Sequence, residues 1–314
     1  MRSLGISNLR VAPLVLGGNV FGWTADKKTS FEILDAFVDF GFNLIDTANI
    51  YSTWIPGNKG GESESIIGEW IKKSRKRNLV CIATKVGMEM PSFKGLTSDQ
   101  IVRSVEESLM RLQTDIIDLY QAHEDDPKTP LEETLGAFDQ LVKQGKVRFV
   151  GASNYGAKRL DQALSISQRL GITSYVSLQP YYNLYEREGF ERNLELLCLE
   201  KQLGILPYFS LAKGFLTGKY RSKEDLNKSP RGSSIERYLD DRGMKIINAL
   251  DVISREHQVV PAVIALAWLL QRKGISAAIA SVTSVKQLAE LAKVSQIRLS
   301  SEEIIKLDTA SSYV

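Results

Sequence analysis

The sequence predicts an α/β protein folded as a closed (β/α)8 barrel with a short N-terminal β-hairpin and a C-terminal helix, a single domain over residues 1–314. Three observations carry that prediction. The strand segments are apolar on both faces, as expected for a parallel sheet covered by helices. They alternate with helical segments at spacings of about 30 to 40 residues, the length of a strand-helix unit. There are eight such units, where an open doubly wound sheet more often stops near six, and the first strand-helix turn lacks the G-x-G-x-x-G fingerprint of dinucleotide-binding sheets.

In chain order, residues 6–11 predict a small hairpin with Ser7-Asn8 at its turn, leading into the apolar strand Pro13-Leu14-Val15-Leu16 that ends in Gly17-Gly18-Asn19. Helical spacing of Ile33, Leu34, Phe37 and Val38 predicts a helix over 29–40, stopped by Gly41. The strand Asn43-Leu44-Ile45 then runs into Asp46, with Tyr51 on the outgoing loop. A polar loop over 54–61 precedes a helix over 63–77 and a strand over 79–85. Thr97-Ser98-Asp99-Gln100 reads as a capping box opening a helix to Leu112, and the strand 116–121 ends near His123. Thr129-Pro130-Leu131-Glu132 combines an N-cap, a proline at the first helical position and an acid, starting a helix to Gln144.

A strand over 147–151 ends in Ala152-Ser153-Asn154, followed by a helix to Leu170 and the strand 175–179. Another helix reaches Leu203 before the strand 204–209. Residues 221–241 are rich in Ser, Lys, Arg and Asp and predict a surface excursion. Helices over 242–257 and 261–272, a last strand over 275–280 and helices over 284–293 and 301–310 complete the chain.

Composition narrows the function. Hydrophobic content of 43%, charged content of 25% and a net charge of +3 are ordinary for a soluble globular protein. The basic residues are interspersed with acids, so no nucleic-acid partner is expected; the run Lys72-Lys73-Ser74-Arg75-Lys76-Arg77 suits the C-terminal end of a helix. Cys81 and Cys198 sit in apolar contexts, as small buried hydrophobes of a reducing compartment do. The N-terminus lacks the apolar core of a signal peptide and no apolar run approaches membrane-spanning length, so a cytoplasmic protein without a membrane partner is expected. The two histidines, His123 and His257, are too few for a catalytic zinc site, so no metal is expected.

In a barrel, the C-terminal tips of the strands converge on one face. Here those tips carry Asp46 with Tyr51, Lys85, His123, Ser153-Asn154, Gln179 and Tyr208. An ammonium at the end of an apolar strand demands a carboxylate partner, and Asp46 is the candidate for Lys85. A tyrosine beside that cation is expected to have its pKa lowered from about 10, giving a usable general acid. A neutral His123 opposite them could orient a carbonyl oxygen.

These pieces closely resemble the aldo-keto reductase family. The matching segments are Asn43-Leu44-Ile45-Asp46-Thr47-Ala48 with Tyr51, Ala83-Thr84-Lys85, His123, Gly151-Ala152-Ser153-Asn154, Ser177-Leu178-Gln179-Pro180, and residues 211–220 (LAKGFLTGKY). They fall in family order along nearly the whole chain, and the last is most like the bacterial general-stress and potassium-channel-β-subunit-like branch. The resemblance implies nicotinamide-dependent reduction of aldehydes and ketones, with Tyr51, Asp46, Lys85 and His123 as a catalytic tetrad.

It further implies that Ser153, Asn154 and Gln179 hold the nicotinamide carboxamide, that Tyr208 stacks on the ring, and that Gly18 and Asn19 approach from the first loop. Phe209, Ser210, Leu211, Lys213, Gly214 and Lys219 would lie along the pyrophosphate, with Ser281, Thr283, Gln287 and Glu290 toward the adenosine. Leu291 stands where relatives carry Asn, and the usual Arg is absent, so Arg221 and Lys286 are the candidate cations for a 2′-phosphate; NADP(H) is expected in preference to NAD(H). Phe21, Trp23, Trp54 and Met88 would border a small-molecule carbonyl substrate. A cofactor-binding regulatory or scaffold protein with little turnover is the alternative. Oligomeric state is not legible.

Overall fold

The structure, a computed structural model, describes residues 1–90 and 94–313. A two-stranded antiparallel ribbon, β1 (Arg2–Ser3) and β2 (Arg10–Val11), precedes eight parallel strands: β3 (Leu14–Gly17), β4 (Leu44–Asp46), β5 (Cys81–Val86), β6 (Ile117–Ala122), β7 (Val147–Ser153), β8 (Tyr175–Gln179), β9 (Gly204–Ile205) and β10 (Ala278–Ala280). They pair in the order β10-β3-β4-β5-β6-β7-β8-β9. The ring is completed by a parallel bridge between Ile205 and Ile275, with the Ile279 N–H donating to the Pro207 carbonyl at 3.0 Å. Eight parallel strands joined in this way are the predicted barrel.

Helices α1 (Lys27–Asp39), α2 (Glu62–Ser74), α3 (Ser98–Leu112), α4 (Leu131–Lys143) and α5 (Ala157–Leu170) cover the strands from outside. The crossover predicted as one helix to Leu203 consists of two short ones, α6 (Glu188–Glu191) and α7 (Glu195–Glu200). They are followed by α8 (Asp241–Glu256), α9 (Pro261–Gln271), α10 (Val285–Ala292) and α11 (Ser301–Ala310). Helix α9 is apolar nearly all round and is buried from Ala262 to Leu270, as such a composition requires. Among the described residues no helix is long and apolar enough to cross a membrane.

The apolar interior is divided in two. The larger cluster fills the layer between strands and helices. A smaller one lies inside the ring, where Leu4, Leu9 and Val11 of the hairpin meet Val15, Leu44, Ala83, Leu119, Leu206, Ala277 and Ile279. The hairpin therefore plugs the N-terminal end and leaves chemistry to the other. Gly5 makes that plug possible: at φ +56, a Cβ there would lie 2.4 Å from the Val176 carbonyl oxygen.

Several local expectations are corrected. The hairpin pairs Arg2 with Val11 and Ser3 with Arg10, so Ile6 belongs to its turn and is 68% exposed. Thr97 flanks α3 without capping it through its side chain; the Ser98 N–H is taken instead by Glu133 of α4, at 2.9 Å. Pro130 is the residue before α4 rather than its first. The 221–241 segment is the expected surface excursion, built of 3-10 turns and anchored by Ile235 and Tyr238, both 0% exposed.

Candidate active site

At the C-terminal ends of the strands opens a cavity of about 890 Å³. Asp46 ends β4, and Lys85 lies on the neighbouring β5, both inside the ring. The Lys85 ammonium, 0% exposed, is 2.6 Å from Asp46 Oδ2, and it donates to the Thr47 carbonyl at 2.8 Å and to Tyr51 Oη at 2.8 Å. Its three donors are thus all used, which is how a buried ammonium is made tolerable. The Tyr51 hydroxyl is 3.5 Å from Asp46 Oδ2, and its ring meets that of His123 edge-on at 5.9 Å.

The expected lowering of the Tyr51 pKa is not found. Burial first, and the Asp46 carboxylate second, push that phenol well above its ordinary value. Asp46 answers the ammonium that was to do the lowering, so the cost of burying a phenolate prevails. Burial pushes the Lys85 ammonium down, opposed by Asp46. Burial also pushes His123 well below the usual imidazole range, with Lys85 adding to the effect, so its ring is neutral. His123 Nδ1 is buried without a partner.

Around these groups lies a second set of polar side chains. Gln179 Nε2 donates to Asp46 Oδ1 at 3.0 Å, and Ser153 Oγ donates to the Gln179 carbonyl at 2.9 Å. Asn154, in a left-handed conformation at φ 56, donates to the His123 carbonyl at 2.9 Å and accepts from Tyr208 Oη at 2.8 Å. Tyr208 stacks on Tyr181, with ring centroids 5.4 Å apart, and burial pushes its hydroxyl up to about 12.

The cavity continues past Phe209, Ser210, Leu211, Lys213, Gly214 and Lys219, then Ser281, Thr283, Gln287 and Glu290, with Asn19 at the first loop. Phe209, Ala212 and Lys213 all have positive φ. Such strain in non-glycine residues clusters where backbone donors are aimed at a ligand. Lys213, Lys219, Lys286 and Arg231 line this space, and none has a carboxylate partner among the described residues. Unanswered cations, a left-handed loop and an inner end of amide and phenol groups fit an elongated molecule with phosphates at one end and a planar carboxamide at the other.

Four expected contacts are placed differently. Gly17 rather than Gly18 lines the cavity, because the β3–β10 register sets Gly17 beside Ser281, where a Cβ would lie 2.5 Å from its Oγ. Phe21 is 0% exposed and packs into the core. Trp23 stands behind the wall, its edge on Trp54 at 5.7 Å and its face under the Arg231 guanidinium at 5.0 Å; Trp54 and Met88 do line the cavity. Arg221 is held by Asp251 through two bonds of 2.7 and 2.8 Å, outside the main cavity, whereas Lys286 borders it.

Sequence reading missed residues 228–231, which bring Arg231 over the cavity, and it missed Gln121, Glu64 and Arg111. Glu64 is 0% exposed and takes Thr84 Oγ1 at 2.5 Å and Arg111 at 2.7 Å beneath β5. A buried glutamine near the C-terminal end of β6, on the inward side with Leu119, was the available signal for Gln121. Among the described residues, no group of three or more His, Cys, Asp or Glu could hold a metal.

The aldo/keto reductase family model matches residues 13–312. The chain belongs to the aldo/keto reductase family. Two relatives from Bacillus subtilis are "Uncharacterized oxidoreductase YrpG", 34% identical over 95% of this chain and 92% of the relative, and "Aldo-keto reductase YhdN", 33% identical over 96% and 89%. A "Probable voltage-gated potassium channel subunit beta" from rice is 32% identical over 92% of this chain and 89% of its own length. Membership makes the chain an oxidoreductase of a family that acts on small carbonyl compounds with nicotinamide cofactors.

Proposed function

We propose that this aldo/keto reductase reduces aldehydes or ketones to alcohols, using NADP(H) in preference to NAD(H), with Tyr51, Lys85, Asp46 and His123 as its catalytic groups. One observation carries the reading: a buried ammonium bridges Asp46 and the hydroxyl of Tyr51, a tyrosine that also faces the cavity. The bound cofactor supplies hydride. The protein supplies the proton and the geometry.

Tyr51 is held protonated by burial, so it carries a proton ready to give to a carbonyl oxygen. As that proton leaves, charge develops on Oη, and the Lys85 N–H already pointing at this atom stabilises it. Asp46 fixes the ammonium, and the neutral His123 ring, edge-on to Tyr51, positions the carbonyl. Ser153, Asn154 and Gln179 would hold the carboxamide, Tyr208 would cover the ring, and Lys213 and Lys219 with the Phe209–Gly214 backbone would hold the phosphates. Trp54 and Met88 line the substrate end, and the substrate is a small molecule.

Titration with NADPH and NADH, followed by nicotinamide absorbance decay with a panel of aldehydes, quinones and dicarbonyls, tests this. Tyr51→Phe should retain cofactor affinity and lose about 10²–10⁴ of the turnover, because only the proton donor is removed. Full turnover in that variant refutes the assignment. A second reading, a cofactor-binding regulatory protein, is favoured by the similarity to the rice β-subunit and predicts tight NADPH binding without turnover.

A further inference from the structure

We infer that Gln121 is a positioning residue: it stays on the Asp46 carboxylate when a bound nicotinamide recruits Gln179, and so lets one glutamine serve the cofactor without abandoning the catalytic lysine's partner. This rests on the proposed cofactor site. The hydrogen bonds of Gln121 to Asp46 and Gln179 are present whatever that site binds.

Gln121 is 0% exposed and lies on β6 directly beside Lys85 in the strand register. Lys85, Gln121, Gly151 and Ser177 form one level across β5 to β8. A buried amide is costly unless bonded, and the bonds of this one go to two groups. Its Nε2 donates to Asp46 Oδ1 at 3.4 Å, and its Oε1 accepts from Gln179 Nε2 at 3.3 Å. Gln179 in turn donates to the same Asp46 oxygen at 3.0 Å. Two amides thus converge on one carboxylate oxygen while Lys85 holds the other.

The two glutamines differ in access. Gln179 lines the cavity and Gln121 does not, so a ligand can engage only the first. A carboxamide that takes the Gln179 N–H now given to Asp46, rather than the one given to Gln121, removes the shorter of the two bonds on Asp46 Oδ1. Gln121 remains in place to close up. Its room is provided by Gly151, where a Cβ would lie 3.3 Å from Gln121 Cγ and 2.5 Å from Ser177 Oγ. Methionine is close to glutamine in length and volume, so what the amide adds at this position is its hydrogen bonds.

Without Gln121, recruiting Gln179 would leave a buried carboxylate oxygen lacking a donor, and binding of a nicotinamide would bear that cost. The test is calorimetric titration of the parent, Gln121→Met, Gln179→Leu and the double variant with NADPH, and with 2′-phospho-ADP-ribose, which has no nicotinamide. Gln121→Met should weaken NADPH about tenfold, one hydrogen bond to a charged acceptor. It should change 2′-phospho-ADP-ribose affinity less than twofold. In the Gln179→Leu background it should have no further effect on NADPH, since no recruitment occurs.

Equal weakening of both ligands, or of NADPH in both backgrounds, would make Gln121 a packing residue and overturn the inference. So would parental NADPH affinity in Gln121→Met, or in Gln179→Leu. Failure of the parent to bind NADPH would instead overturn the proposed function itself. Thermal melting checks each fold, with Gln121→Leu replacing the Met variant if that one does not fold. At saturating NADPH, Gln121→Met should lower kcat more than it raises the carbonyl KM, because Asp46 positions Lys85 and not the substrate.

Discussion

Replacing Lys85 by Met is the most direct assault on the buried ion pair. The ammonium is 0% exposed, the Asp46 side chain is 3% exposed, and 2.6 Å separates them. Methionine matches the aliphatic stem in length, so the cavity left behind is small and the change is mainly electrostatic. The Asp46 carboxylate would keep its amide donors on Oδ1 and lose its counter-ion on Oδ2. Removing one partner of a buried pair costs about 3–5 kcal/mol, because the other charge is left uncompensated.

At about 2.1 cal/mol/K of unfolding entropy per residue, a chain of 314 residues loses roughly 1.5 °C in Tm per kcal/mol, so the melting temperature should fall by about 5–8 °C. Differential scanning calorimetry of the parent, Lys85→Met and the double variant Lys85→Met/Asp46→Asn measures it. The double variant should recover most of the loss, since it removes both charges and leaves an amide of the carboxylate's shape. A single variant melting within 1 °C of the parent would refute the reasoning. So would a double variant no more stable than the single one, which would point to packing rather than charge.

Other outcomes follow from the same geometry. His123 has its folded pKa lowered, so the unfolded chain binds a proton that the folded one refuses; its contribution is complete above about pH 6.5 and is lost as pH falls below it. His123→Leu should therefore flatten the loss of urea-measured stability between pH 7 and 5, and an unchanged slope would contradict it. Tyr51, raised by burial, contributes the opposite way: its share is present below about pH 10 and disappears as the unfolded phenol ionises above it, so Tyr51→Phe should unfold less steeply on alkaline titration. Lys286→Ala should weaken NADPH about fivefold with little change for NADH, the scale of one exposed charge contact, while Arg221→Ala, already committed to Asp251, should leave both unchanged in the same titrations. Gly151→Ala should cost about 1–3 kcal/mol by denaturant unfolding, through the clash with Ser177 Oγ and Gln121 Cγ, and Ser177→Ala should relieve part of it.

Much of this molecule was legible from residue order. The parallel strands were found because a sheet covered on both faces must be apolar on both, and the tips were found because Asp46, Lys85 and His123 interrupt apolar runs at their ends. The limits of α3 agree with the sequence, but its capping does not, because the Ser98 N–H is answered by Glu133 on another helix, a partner that residue order does not show. The 221–241 segment lies mostly at the surface, as its polar composition predicts, while that majority hides its two anchors, Ile235 and Tyr238.

By itself, then, the sequence determined the alternation of elements, the barrel and the set of polar groups at one end of it, since each follows from local periodicity and from the cost of burying charge. Only the tertiary structure decided what those groups do to one another. It placed Gln121 on Asp46, put Gly17 instead of Gly18 at the cavity, turned Phe21 into the core and Arg221 toward Asp251, and swung Arg231 over the site. It also set the Tyr51 proton, because whether an ammonium lowers a phenol's pKa depends on burial and on the carboxylate that shares the cation, and these are fixed by distances across the ring rather than by order along the chain.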